Sequence, residues 1–185
     1  MTEKNNADKR PVLVNDKELS TDDLINAAYP ELKRMARRQL QRESGQAFQT
    51  TELVNEAIIR WLKGRQSVQS KLAWMVVMAK VMRNVLVDEA RFRHAKKRGS
   101  NPQKITININ NEFADEPSSA FEILDLEAAL VQLHSFDARK AEVIECHYFG
   151  GMKVKEMATH FAVGEATVKR DLITARAWIG SQLKP

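Results

Sequence analysis

The chain has 185 residues, with 29 Lys+Arg against 24 Asp+Glu and a formal charge of +5. That length suits one ordinary domain or two small ones. The basic excess is modest but concentrated in Arg83–Arg98 and again at Lys169, Arg170 and Arg176. Such patches suit a polyanionic partner, because neutralised phosphates release their condensed counterions. Cys146 is the only cysteine, which excludes an intramolecular disulfide and gives no sign of an oxidising compartment. Met1–Asn15 has no apolar signal core, and the longest apolar run, Leu72–Ala79, is too short for a bilayer. A soluble, cytoplasmic protein with no membrane partner is expected.

Seven glycines and five prolines leave long stretches without helix breakers, and few segments alternate with the period of a strand. The chain is therefore predicted to be all-α. After a disordered tail over residues 1–20, Thr21 can cap a short helix, Asp22–Tyr29. Pro30 then suits the first position of the next helix, where a missing N–H costs nothing. That helix puts Leu32, Met35, Ala36 and Leu40 on one face and Lys33, Arg34, Arg37 and Arg38 opposite, and Gly45 ends it. A further helix, about Thr50 to Lys63, carries the stripe Leu53, Ala57 and Trp61, flanked by Val54, Ile58 and Leu62. Beyond a polar loop, Gly64–Ser70, a long helix runs from about Lys71 to Lys97. Its first half is apolar nearly all round, as befits a central buried helix, and its second half is basic. Residues 21–98 form a first helical block.

Residues 99–120, rich in asparagine with Pro102 and Pro117, are predicted to be a flexible linker. Ile105, Ile107 and Ile109 alternate, but no partner strand is visible and extended coil is expected. About twenty residues at roughly 3.3 Å each reach some 65 Å. At about 3.4 Å per base pair that is nearly two turns of duplex. Four helices follow, at Phe121–His134, Asp137–Phe149, Val154–Ala162 and about Glu165–Leu183, making a second block over residues 121–185.

The end of that block has the pattern of a helix-turn-helix. Ala158 supplies the small residue at the helix crossing. Met157, Phe161 and Val163 pack around it, and Ala162–Gly164 is the turn. Val168, Leu172, Ala175 and Ile179 recur at steps of four, three and four, giving the second helix its inward stripe. Thr167, Lys169, Arg170, Ile173 and Thr174 are left outside, with Arg176 beyond them. The N-terminal part of a recognition helix is where base edges of DNA are met. Gly164 stands at the cap of this helix without a side-chain hydrogen bond to offer.

Three stretches in order carry a wider resemblance: ELVNEAIIRWL (Glu52–Leu62), RNVLVDEARFR (Arg83–Arg93) and FGGMKVKEMATHFAVGEATVKRDLITARAWI (Phe149–Ile179). From about Asp22 to Leu183 the chain resembles the extracytoplasmic-function (ECF) branch of the sigma-70 family. The resemblance implies two small helical domains joined by a flexible linker, and core RNA polymerase and promoter DNA as partners. The first stretch then corresponds to the helix that binds the clamp of the largest polymerase subunit, through Glu52, Leu53, Asn55, Glu56 and Arg60. The second corresponds to the helix that reads the minus-ten element through Arg83, Asn84 and Asp88, where the Asn84 amide suits a base edge and arginines can fix phosphates. Arg91, Arg93 and Lys97, together with Lys96 and Arg98, would hold phosphates. The third implies contact with the polymerase flap and reading of the minus-thirty-five element by Thr167, Lys169, Arg170, Ile173, Thr174 and Arg176. In members of the family the loop before the minus-ten helix captures an extruded base. Here that loop, Lys63–Ser70, has no aromatic side chain.

One departure stands at the polymerase-binding helix. Members usually begin it with a run of acids, whereas this chain has Gln49-Thr50-Thr51-Glu52. Charge complementarity to a basic clamp is therefore poor. A phosphate on Thr50 or Thr51 would restore about −1.5 to −2 charges where a helix N-terminus favours them. The chain is similar here to groups associated with Ser/Thr kinases, which implies such a kinase as a partner. Either threonine could equally be the helix cap. An anti-sigma factor is neither required nor excluded by the sequence.

No other chemistry is legible. His94, His134, His147 and His160 make no ligand set, and the neighbours Cys146 and His147 cannot share one helix face. There is no Gly-rich phosphate loop and no nucleophile elbow. Met75, Met78 and Met82 read as core. Neither catalytic residues, a metal nor a cofactor is expected. The rival reading, a helix-turn-helix regulator acting as a dimer without polymerase, leaves Thr50–Arg60 and the basic helix from Arg83 without a role.

Overall fold

The computed structural model describes residues 12–14, 17–41, 48–64, 68, 70–96, 106–109 and 119–183. Most of them lie in seven helices: α1 (Thr21–Gln41), α2 (Thr50–Gly64), α3 (Lys71–Lys96), α4 (Ile123–Phe136), α5 (Ala138–Tyr148), α6 (Val154–His160) and α7 (Glu165–Gln182). Two short antiparallel hairpins accompany them. One pairs β1 (Val12–Val14) with β2 (Lys17–Leu19), and the other pairs β3 (Thr106–Ile109) with β4 (Ser119–Glu122). The fold is all-α in class, as the sequence pattern predicts.

Several boundaries depart from that pattern. Pro30 does not start a second helix but lies inside α1. Its missing N–H leaves the Asn26 carbonyl without an intrahelical partner. Both residues are exposed, so water can take the bond. Ser20 rather than Thr21 caps α1: its Oγ accepts from the Asp23 N–H at 3.1 Å, and its carbonyl accepts from the Leu24 N–H at 3.0 Å. Residues 12–19, expected as loose tail, hold a hairpin. Ile107 and Ile109, expected in extended coil, are strand residues that find their partners in Phe121 and Ser119.

The first block packs as its stripes require. Leu24, Ala28, Leu32, Met35 and Ala36 of α1 meet Leu53, Val54, Ala57 and Trp61 of α2 and Trp74, Met78 and Met82 of α3, all buried. Trp61 and Trp74 stand edge to face, their ring centroids 5.3 Å apart. The same cluster continues without a break into Ile123, Leu126, Leu130 and Leu133 of α4, Ile144 of α5 and Ile179 of α7. A second cluster, Val143, Cys146, Met152, Met157, Val168 and Leu172, fills the angle between α5, α6 and α7. Leu72 and Val76 of α3 lean on it from the first block. Helix α3 is thus the central element of the whole molecule. Its all-round apolar first half is covered by its own block on one side and by the second block on the other.

The two blocks also touch at residues 149–151. The Gln39 amide, buried on α1, donates to the Phe149 carbonyl at 3.1 Å and to the Ala79 carbonyl at 3.3 Å. A Cβ placed on Gly150 would stand 3.4 Å from that of Ala79 and only 2.6 Å from the Cys146 carbonyl oxygen. Gly151, at φ +66°, lies directly under the Arg38 guanidinium. The adjacent glycines let the turn after α5 come this near.

The turn between α6 and α7 closes α6 by two reversed hydrogen bonds. The Val163 N–H donates to the Ala158 carbonyl at 3.0 Å, and the Ala162 N–H to that of Thr159 at 3.3 Å. That pattern puts the residue between them in the left-handed region, usually glycine's place. Here it is Ala162, at φ +53° and exposed. Replacing Ala162 with Gly removes a left-handed penalty of about 1–2 kcal/mol and adds an unfolded-state cost of roughly 0.5–1 kcal/mol. Ala162→Gly should therefore stabilise the protein by up to about 1 kcal/mol, read as a higher urea midpoint with unchanged slope. Cys146, beside this turn, is buried in the second cluster. Burial, with Glu145 and Glu142 nearby, pushes its thiol up to about 12. The native protein should resist alkylation by iodoacetamide at pH 8 and react within minutes once denatured, as mass spectrometry would record.

Candidate DNA- and polymerase-binding surfaces

The outward face of α2 carries the residues matched to polymerase binding. Gln49 holds the cap position: its carbonyl accepts from the Leu53 N–H at 3.0 Å, and its own N–H donates to the Glu52 carboxylate at 2.8 Å. That is one half of a capping box. The cap is therefore neither threonine. Thr50 and Thr51 fill the first two helical positions, with Thr50 half-buried and Thr51 exposed. Glu52 and Asn55 are exposed, and Glu56 pairs with Arg60 at 2.8 Å. Leu53 is placed otherwise: it is fully buried in the core and offers a partner no surface. The apolar surface on this face belongs instead to Ile59 and Leu62, 45% and 48% exposed. Periodicity alone makes Leu62 a flank of the core stripe. Ile59 could have been found by projecting the helix, since at about 100° per residue it falls on the face opposite the buried Ala57 and Trp61.

Helix α3 carries the residues matched to the minus-ten element, and it divides them. Asn84, Asp88 and Arg91 are exposed along one edge. With Arg60, Val81, Val87 and Glu127 they line a polar cleft of about 320 Å³. Asp88 accepts from Arg60 at 2.5 Å, so a residue matched to polymerase binding and one matched to DNA form a single pair. Partial burial lowers the Arg60 pKa, and the carboxylates of Glu56 and Asp88 more than offset this, leaving it raised. Arg93 pairs with Glu89 at 2.8 Å one turn back. Phe92, 61% exposed among these basic residues, is an aromatic surface that helical periodicity alone does not single out. Lys97, Arg98 and most of the loop before α3 lie outside the described residues. Ser70 at the end of that loop caps α3, its Oγ accepting from the Ala73 N–H at 3.1 Å.

Arg83 is placed differently from its neighbours. Its side chain is only 5% exposed, on the flank of α3 that faces the second block. It pairs with Glu127 of α4, and with Glu145 of α5 at 3.0 Å. Its guanidinium stands over the Phe149 ring at 5.7 Å. Burial lowers the Arg83 pKa, and the Glu145 charge works against that. An arginine remains a cation all the same.

Helix α7 presents Lys169, Arg170, Ile173 and Thr174 to solvent, Ile173 66% exposed, with Thr167 half-buried beside them. Val168, Leu172, Ala175 and Ile179 are buried as the stripe predicts. Gly164 caps this helix without a side-chain bond. Arg176 turns back onto α5, donating to the Tyr148 hydroxyl at 2.9 Å. Asp171 is also buried on the inward side, held by Arg139 at 2.9 Å. The sequence offered no signal for that pair, because its members lie thirty-two positions apart.

Among the described residues no group of three His, Cys, Asp or Glu could hold a metal, and no helix is long and apolar enough to cross a membrane. A family model described as ECF sigma factor matches residues 14–185. The ECF RNA polymerase sigma factor SigL of Mycobacterium tuberculosis is 31% identical over 156 residues, covering 80% of this chain and 82% of that protein. The same similarity holds for SigL of strains Erdman, CDC 1551 and H37Rv.

Proposed function

The chain belongs to the ECF sigma factor family, and on that premise we propose a division of labour among its three surfaces. Members of the family are initiation factors that bind core RNA polymerase and promoter DNA and do no covalent chemistry. In our reading α2 docks on the polymerase clamp through Glu52, Asn55, Glu56, Ile59 and Leu62. Helix α3 reads the minus-ten element with Arg83, Asn84 and Asp88, while Arg91 and Arg93 hold phosphates. Helices α6 and α7 form a helix-turn-helix on the minus-thirty-five element. There Lys169, Arg170, Ile173 and Thr174 meet the groove, and Arg176 steadies the helix against Tyr148. Its working place is the cytoplasm, beside the polymerase. The observation that carries the reading is the exposed, basic and threonine-bearing face at the N-terminal end of α7, in a chain matched to the family over nearly its whole length.

Run-off transcription with purified core polymerase tests it. The protein should direct initiation from a cognate duplex promoter, yet bind specific DNA poorly when alone. Lys169→Ala and Arg170→Ala should each weaken use of the upstream element by about 1–3 kcal/mol, the worth of one good side-chain pairing with a base edge. Tight, specific operator binding by the free chain with no polymerase-dependent transcript would refute the assignment.

The α2 N-terminus supports a switch. The cap is already made by Gln49 and Glu52, so the hydroxyl of the exposed Thr51 is not engaged in capping. Phosphate there would sit at the positive end of the helix and supply the missing acidic charge. Thr51 is the favoured acceptor and Thr50 the second, for a Ser/Thr protein kinase. One to three new charge-assisted hydrogen bonds should tighten binding to core polymerase by roughly tenfold or more. The check is affinity for core polymerase with and without phosphate, alongside a folded Thr50→Ala/Thr51→Ala double variant that should be inactive in cells. Equal affinities would leave the threonines as plain helix residues.

A further inference from the structure

We propose that the cleft between α1 and the turn leading into α6 is a binding site for a nucleoside polyphosphate, with Arg34, Arg38 and Lys153 on its phosphates. None of the three is assigned above to polymerase or promoter. The cleft has a volume of about 690 Å³. Small-molecule sites commonly measure roughly 300–1,000 Å³. Its walls come from α1, from the start of α3 and from residues 150–156.

The charges in the cleft are unbalanced. Its two acids are already engaged: Glu31 pairs with Lys71 at 2.7 Å, and Glu156 accepts from the Lys153 backbone N–H at 2.7 Å. Among the described residues no carboxylate pairs with Arg34, Arg38 or the Lys153 ammonium, and all three side chains are exposed. A concave surface lined by one sign of charge concentrates the potential felt by an anion. Arg38 is seated by the backbone beneath it, because a Cβ on Gly151 would overlap its guanidinium. Guanidinium groups take phosphate oxygens in pairs, and an ammonium adds a point charge.

The less exposed part of the lining is apolar. Met35 and Met152 are buried, and Leu72 and Met75 are half-buried. Thioethers make favourable contacts with aromatic rings and adapt to their shape. A purine or pyrimidine base on these residues would leave its phosphates at the cationic rim. An inorganic phosphate would use the rim and leave the apolar part in water. The division of the cleft into an apolar interior and a cationic rim therefore selects a nucleotide. Such a ligand contacts α1 and the turn before α6 together, so its binding adds to the stability of the folded chain.

The test is isothermal titration of the full chain with ATP, with GTP and with inorganic pyrophosphate. At least one of the two nucleotides should bind saturably in the micromolar range, more tightly than pyrophosphate, and raise the melting temperature. Arg34→Ala/Arg38→Ala, checked for folding by circular dichroism, should weaken nucleotide binding at least about tenfold, as loss of charge-assisted hydrogen bonds requires. Lys153→Ala, on the other wall, should weaken it at least about threefold, and it tests the site by itself if the double variant does not fold. Lys33→Ala/Arg37→Ala removes the same charge from the same helix outside the cleft, and it should change affinity by less than about twofold. Equal weakening by the two α1 double variants would mean general attraction to anions and overturn the proposal. So would pyrophosphate binding as tightly as both nucleotides, or the absence of saturable nucleotide binding. An oligonucleotide that needs Arg34 and Arg38 while neither nucleotide binds would make the cleft a strand contact, and would equally overturn it.

Discussion

A guanidinium taken out of water must find its counter-charges inside the fold, and Arg83 finds both of its own on the other half of the chain. Glu127 comes from α4 and Glu145 from α5, and the Phe149 ring takes up the remaining side. Removing a charged partner from such a buried site is costly, because the charge left behind has neither water nor a counterion. The second block is therefore held in register against α3 by electrostatics as well as by apolar contact. The neighbouring details follow: Gln39 reaches across to the Phe149 carbonyl, and two glycines let the turn approach.

The same arrangement sorts the three surfaces by availability. The face of α7 with Lys169, Arg170 and Ile173 is open to solvent, and so is the outward face of α2. The face of α3 is divided between an exposed edge at Asn84, Asp88 and Arg91 and a covered flank at Arg83. The packed form thus leaves the faces of α2 and α7 open and the face of α3 open only in part. The exposed basic residues set up a field that attracts a polyanion without regard to its sequence.

At the start of α2 a smaller constraint has a comparable effect. Helix N-termini leave N–H groups that need acceptors. Here a glutamate three positions into the helix reaches back to the cap residue's N–H and leaves the threonines between them outside the cap. A residue type usually recruited to cap a helix is thereby placed on its exposed first turn, where added negative charge is favourable.

Much of this was legible from the amino-acid order. Helical periodicity located α2, α3 and the pair α6–α7 to within a residue or two, because apolar stripes at steps of three and four leave little choice of inward face. The outward set Lys169, Arg170, Ile173 and Thr174 followed from the same stripes. The motif assigns Leu53 to a partner surface, although periodicity already places it among the core positions, where it lies. Pro30 misleads because it is favoured at a helix start, yet an exposed position inside a helix also tolerates it. What no local pattern could show is which side of α3 the second block would cover. An all-round apolar helix says only that it is surrounded, and the partners of Arg83 stand forty-four and sixty-two positions along the chain. The pairings of β3 with β4 and of Arg139 with Asp171 are equally non-local, fixed only when the chain closes on itself. Sequence determined which residues face inward and which segments are helices, through forces acting within a turn or two. Tertiary structure alone decided which of the DNA-matched residues stay in water, because burial of a charge depends on counter-charges brought from a distance.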